Sequence, residues 1–196
     1  ADVHFALRKC EIGCTKGIRM SAILIIGSAH LDILARALTR DDVLDRVGDI
    51  SIEVGGTAAN IAINIAHAGT TARFLTALST STYSRVISDY LAALGVEMHV
   101  DYLENLPNGG FSAHINTQGE MVSAVSSTPI DRVNFDPKRL AAAMAGTKAI
   151  IIDCNLSSLA INRIVTLAND RRIPVYITAV SEEKCVRVAD VLGRVK

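Results

Sequence analysis

Residues 53–69 read Glu53-Val54-Gly55-Gly56-Thr57-Ala58-Ala59-Asn60-Ile61-Ala62-Ile63-Asn64-Ile65-Ala66-His67-Ala68-Gly69. Two adjacent glycines lead into a run built almost wholly of alanine and isoleucine. That run predicts a buried helix over 57–68, with Gly69 just past its end, where glycine accepts the left-handed backbone that closes a helix. Asparagines at 60 and 64 interrupt the apolar run, one turn apart and close to its start. Gly55-Gly56 permits unusual backbone angles and lets a ligand approach with no Cβ in the way. Asn60 falls in the first turn, beside N–H groups that have no partner within the helix. Its neutral amide can both donate to and accept from a hydroxyl. Asn64, one turn deeper, is expected to pack inside, hydrogen-bonded to a neighbouring backbone. His67 reads as a satisfied helix-end residue rather than a catalyst.

Outward from this stretch the chain alternates short strands with helices. Residues 23–26 read as a buried strand ending at Gly27, and 73–78, 96–102, 149–153 and 173–178 as further strands. Helices are expected from Ser81 or Thr82 to Leu94, from Asp136-Pro137 to Ala145, from Ser157 or Ser158 to Asn169, and from Ser181 to about Leu192. In the last of these, Glu182 and Glu183 suit the positive end of the helix dipole. Such β-α-β order predicts a parallel sheet with helices on both faces. Three strands fall outside that order. Residues 48–54 alternate polar and apolar, as do 111–116 and 120–126, which Thr117-Gln118-Gly119 joins into a hairpin. The economical arrangement is a small second sheet, over about 48–54 and 111–126, standing off the main one as a lid.

Composition bounds the class. Hydrophobic residues make up 49% of the 196, aromatics only 4%, and tryptophan is absent. With a mean hydropathy of +0.31, the core must be built from Ala, Ile, Leu and Val, which suits a sheet covered by helices. Twenty basic and twenty acidic residues cancel, so no net field favours nucleic acid or an anionic membrane. The apolar run 22–26 is far too short to cross a bilayer. Cys10, Cys14, Cys154 and Cys185 are scattered without zinc-site spacing, and read as free thiols of a cytoplasmic protein. No metal cluster is expected, and no nucleophile–base pair. Residues 1–19 show no period and precede Met20, a natural start; they read as an extension or an expression remnant, or as a short element docked on the domain.

The first strand runs into Gly27-Ser28-Ala29-His30-Leu31-Asp32. Ligands of open α/β sheets sit beyond the carboxyl ends of the strands. Asp32, in or just past that loop, can accept hydrogen bonds from two vicinal hydroxyls or can simply cap a local turn.

The pattern Gly-x-x-x-x-Asp after the first strand, an alternating strand, then Gly-Gly-x-x-x-Asn-x-Ala entering a helix, resembles the ribokinase-like (pfkB) family of carbohydrate and nucleoside kinases. Within that family the likeness is best to pseudouridine kinases. The segments that carry it are "ILIIGSAHLDI", "GGTAANIAINIAHAG", "NTQGEMVSAVSSTPI", "AIIIDCNLSS" and "IPVYITAVSEEKCVRVADVL". The resemblance covers 21–196 and implies a three-layer α/β/α domain with a β-lid, here only the N-terminal two-thirds. It implies that Asp32 and Asn60 bind sugar hydroxyls, that Gly55 and Gly56 line the sugar, and that Asn155 and Lys184 lie near the substrate or phosphate path. His30 stands where the family usually has Asn, and Thr178-Ala179 where it has Asp-Pro.

The family's catalytic base and ATP loop come from an Asn-x-x-Glu motif and a Gly-Ala-Gly-Asp loop in its C-terminal third. Neither motif occurs in these residues. ATP and magnesium are therefore expected only for a full-length relative, and this chain carries no catalytic residue of its own. Two functions remain open: the sugar- or nucleoside-binding part of a kinase, or a binding or regulatory protein derived from one. Either is expected to self-associate through the lid or an open sheet edge.

Overall fold

The computed structural model describes residues 22–39 and 44–196. The expectations for residues 1–19, Met20, Cys10 and Cys14 lie outside the described residues. Strand β1, Ala22–Ile26, sits at the centre of a five-stranded sheet. Around it run β4 (Ala72–Ser79), β5 (Glu97–Leu103), β8 (Thr147–Asp153) and β9 (Val175–Thr178), in the order β5-β4-β1-β8-β9. Every pairing in this sheet is parallel. A parallel sheet needs cover on both faces, and the side chains of β1 alternate accordingly. Leu24 and Ile26 enter one core, where they meet Leu140 of helix α3 (Pro137–Met144) and Ile161, Ile164 and Val165 of helix α4 (Ser158–Asp170). Ile25 enters the other, with Phe74, the alanines of helix α1 (Thr57–His67), and Ile87 and Leu91 of helix α2 (Thr82–Ala93).

Helix α1 is apolar nearly all round, yet only its alanine stripe, Ala58, Ala59 and Ala62, is fully buried. Small side chains let the helix backbone settle close to the sheet. Asn64 corrects the sequence expectation of an inward-packed amide. It is exposed, and its Nδ2 donates to the backbone carbonyl of Asn60 at 2.8 Å.

The second sheet has four strands, in the order β3-β2-β6-β7: β3 (Gly48–Gly55), β2 (His30–Ala37), β6 (Gly110–Ile115) and β7 (Met121–Ser127). The additional strand is β2, which begins at His30 where the sequence predicts a loop with Asp32 in it or just past it. Its sequence, HLDILARA, has no clean two-residue alternation. It pairs antiparallel with β3 and parallel with β6, so long-range pairing rather than local pattern makes it a strand. The two sheets meet at its root, where Leu31 and Val54 pack into the core formed by α1, α2 and β4.

At the other end of the chain, the helix expected over 181–192 is only a single turn, α5 (Glu182–Cys185), followed by a 3₁₀ segment, Val186–Arg194. Val188 and Val191 of that segment are buried in the core shared with α4. Strand β9 is the sheet edge. On its outer side Lys196 N–H donates to Val175 O at 2.8 Å.

Candidate functional site

The strand order turns back on itself between β1 and β8, and the crevice at such a switch point is where open α/β sheets take ligands. Strand β8 is a run of isoleucines that ends in Asp153, and its carboxylate is completely buried. Asp153 Oδ2 accepts from the Ser28 amide at 3.0 Å, the Ser28 hydroxyl at 2.7 Å and the Ala58 amide at 3.2 Å. Its Oδ1 accepts from the Asn155 amide at 3.0 Å. A buried charge persists only when hydrogen bonds replace its water, and here they come from three separate segments. Ala58 lies in the first turn of α1, so the carboxylate also faces the positive end of a helix. The loop after β1 is thereby tied to both α1 and β8.

The same network reaches the C-terminal segment. Asn155 Nδ2 donates to Ser28 Oγ at 2.9 Å, and Lys184 Nζ donates to Asn155 Oδ1 at 2.6 Å. One guanidinium nitrogen of Arg187 spans the carbonyls of Cys154, Asn155 and Leu156 at 3.0–3.2 Å. Asn155 and Lys184, which the sequence placed together only by resemblance, thus touch. Burial pushes the Cys154 thiol up from its ordinary value, with the nearby Cys185 thiol adding to the effect.

A second group gathers at the root of the lid. His30 and Asp32 lie two residues apart on β2 and so share a face, with His30 Nδ1 and Asp32 Oδ1 2.9 Å apart. The pair is not aligned as a hydrogen bond, and both atoms are buried with no other partner. Gly55 is opposite His30 in register, and a Cβ on it would overlap the Asp32 carboxylate. Gly56 caps α1 with φ 108 and ψ 134 and without a side-chain hydrogen bond. A Cβ there would lie 2.6 Å from Ser28 O, so only glycine fits between the helix start and the β1 loop. Ala59 N–H donates to that same Ser28 O at 3.1 Å, and Asn60 N–H donates to Gly56 O at 2.9 Å. The Asn60 side chain stands exposed in the first turn. Gly55, beside the Asp32 carboxylate, and Gly56, whose carbonyl accepts from the Asn60 backbone N–H, are consecutive residues between the lid and helix α1.

Around the turn that enters β6, Ser81 Oγ donates to Asn108 Oδ1 at 2.6 Å, and Ser79 Oγ donates to the same oxygen. This fixes the lid root to the carboxyl end of β4. Sequence reasoning missed both the Asp153 hub and this cluster. An acid closing the Ile150-Ile151-Ile152 run of a buried strand was the available signal for the first. Nothing local marked the second.

Residues 20–192 match the family described as pfkB family carbohydrate kinase. The chain belongs to that family. Its similarity to curated pfkB relatives includes 30% identity over 180 residues to the pseudouridine kinase of Escherichia coli (strain K12), covering 88% of this chain and 56% of that protein. It is 27% identical over 163 residues to a guanosine-inosine kinase of Exiguobacterium acetylicum, covering 80% of this chain and 53% of the relative. The chain spans about half the length of these relatives. Among solved structures it superposes on a carbohydrate kinase from Agrobacterium tumefaciens with a TM-score of 0.82 at 22% identity, covering 90% of this chain and 59% of that one. An Arabidopsis thaliana ribokinase complexed with ribose and ATP gives a TM-score of 0.68 at 17% identity, covering 80% and 53%. Over the superposed residues these structures share the fold of this chain, a parallel sheet between helices. No helix among the described residues is long and apolar enough to cross a membrane.

Proposed function

We propose that this chain is the substrate-recognising part of a pfkB-type sugar or nucleoside kinase, whose whole phosphorylates a hydroxyl of its substrate with ATP. One observation carries the reading. Asp32 Oδ1 and His30 Nδ1 are buried at the lid root with no aligned partner. The two atoms lie 2.9 Å apart without forming an aligned hydrogen bond, and a polyol donating from adjacent hydroxyls gives the Asp32 carboxylate the donors it lacks. Asp32 accepts those hydroxyls, His30 lies beside them in the place of an amide, and Gly55 and Gly56 keep the floor open. Asn60 reads a further hydroxyl from the helix start. Asn155 and Lys184 hold the loop at Ser28 on the side towards β8.

In this reading ATP and magnesium belong to the whole kinase rather than to these residues alone. No Gly-x-Gly-Asp run occurs in the 196 residues, and among the described residues no group of three or more His, Cys, Asp or Glu could hold a metal. No transfer step is assigned to this chain. Self-association belongs to the same reading. The lid carries Ile50, Ile52 and Val125 at 70%, 59% and 72% exposure, and apolar exposure of that kind favours a partner surface. The protein is read as cytoplasmic.

The test is calorimetric titration of the chain with ribose, pseudouridine and ATP plus magnesium, for the parent and for Asp32→Asn. Binding of a polyol that the substitution weakens by at least tenfold is expected, with no heat from ATP. Polyol binding indifferent to Asp32→Asn, or saturable ATP binding, overturns the reading.

A further inference from the structure

His30 and Asp32 turn two polar atoms towards one another at the lid root, Nδ1 and Oδ1, 2.9 Å apart. Neither has an aligned partner, and both are shut away from solvent. A carboxylate oxygen only accepts, and an imidazole nitrogen without its proton also only accepts. In that state two acceptors stand side by side and both lack a donor. An imidazolium carries a proton on each nitrogen. Its Nδ1–H then needs only a turn of the ring about a soft torsion to bond the carboxylate.

The ring has little room to avoid that carboxylate. Its side chain is 14% exposed. A Cβ on Gly109, in the turn entering β6, would lie 3.1 Å from the Cβ of His30. The small cavity beside His30 receives Asn108 from that turn, and Thr128 and Pro129 from the start of the 3₁₀ turn Pro129–Arg132 that follows β7. Tyr83 of α2 is the one other titratable side chain that lines it. Across β3, Gly55 is opposite His30 and Glu53 is opposite Asp32, with Glu53 exposed. Asp32 is therefore the group that a charged His30 meets first.

On the polyol reading of Asp32, we propose that the His30–Asp32 pair is a proton-linked gate, open to a polyol when His30 is neutral and closed when His30 is protonated. In the open state one substrate hydroxyl donates to Asp32 Oδ1 and its neighbour donates to His30 Nδ1. When a proton adds to Nδ1, one acceptor is lost, and the other is taken by the new N–H···O bond within the protein. A polyol that binds the charged pair must displace that proton to solvent. An amide at position 30 keeps an acceptor oxygen whatever the pH, so the gate belongs to the histidine.

The experiment is calorimetric titration with ribose and pseudouridine between about pH 6 and about pH 8, where imidazoles ordinarily change charge. It compares the parent, His30→Asn, His30→Gln, Glu53→Gln and Asp32→Asn, with thermal midpoints as a check on folding. Repeating each titration in two buffers of different ionisation heat counts the protons released. Parent affinity is expected to fall about threefold to tenfold from the upper pH to the lower, with proton release over the same range. Glu53→Gln keeps both effects, and the two amide variants lose both. The same pH slope in either folded amide variant, or a slope lost in Glu53→Gln, overturns the gate. So does parent binding that is weakened by Asp32→Asn yet is flat in pH and releases no proton; in each of these cases the polyol reading stands. If Asp32→Asn leaves binding unchanged, or neither ligand binds the parent at any pH, the polyol reading has failed and the gate fails with it.

Discussion

Ser28 and Asp153 are separated by 125 positions in the chain, yet both the amide and the hydroxyl of Ser28 donate to one carboxylate oxygen of Asp153. The two residues close the central strands β1 and β8 at their carboxyl ends, and Ala58 brings the start of α1 to the same oxygen. The residues proposed to meet the sugar, His30, Asp32, Gly55, Gly56 and Asn60, all lie within a few residues of Ser28 or Ala58 in this junction.

Asp153→Ala is expected to destabilise the fold strongly. It strands the amides of Ser28, Ala58 and Asn155 in a buried site, each at about 1–3 kcal/mol. A total near 3 kcal/mol or more corresponds to a fall of roughly 10 °C in thermal midpoint for a chain of this length. Urea unfolding of the variant checks it, and a loss below about 1 kcal/mol would mean that water takes over the donors.

The two adjacent glycines are expected to separate binding from stability. Gly55→Ala meets the end of a side chain, the Asp32 carboxylate, which swings away. Polyol affinity falls about tenfold or more, since hydrogen bonds to a charged group contribute about 1.5–3 kcal/mol, while the melting temperature changes little. Gly56→Ala meets the backbone of Ser28 at a φ of +108. It costs about 1–3 kcal/mol of folding energy. Calorimetry on both variants distinguishes the effects, and equal losses of stability contradict the assignment.

A lysine at the exposed lid positions tests self-association. Ile52→Lys and Val125→Lys place charge on residues whose side chains face water in the single chain, so each is expected to fold normally and to dissociate any assembly built on the lid. Light scattering across a concentration series reads the mass. Association that persists unchanged in both variants points instead to the outer edge of β9.

Away from the site, Glu97 accepts from Arg73 Nε and from His99 Nε2, each at 2.9 Å. Burial alone would raise its pKa, but these hydrogen bonds and the Arg73 charge outweigh it and hold the carboxyl below its ordinary 4.5. A carboxyl lowered on folding stabilises above its unfolded value and loses that contribution as pH falls through the folded one. The stability gap between parent and Glu97→Gln is therefore expected near neutral pH and should vanish in acid. A gap that widens below pH 4.5 would contradict the lowered value. The side chain is 43% exposed, so the gap is small and shrinks with added salt.

The one-dimensional pattern was sufficient for the main sheet. Buried parallel strands must be short apolar runs and their helices must carry an apolar stripe, so the sequence announces β1, β4, β8 and α1 at 23–26, 73–78, 149–153 and 57–68, within two residues of their ends in the structure. Gly56 was legible for a related reason, because a helix start at a positive φ accepts few residues other than glycine. Strand β2 was not legible, since its residues show no period and become a strand only when β3 and β6 pair with them. Nor could spacing reveal that Gly55 stands against the Asp32 carboxylate, or that Asp153 bonds to Ser28. Register between distant strands is set by which faces the cores bury, and that is a property of the assembled sheets. The sequence by itself determined the layers and the helix start, and tertiary pairing alone decided which side chains meet there.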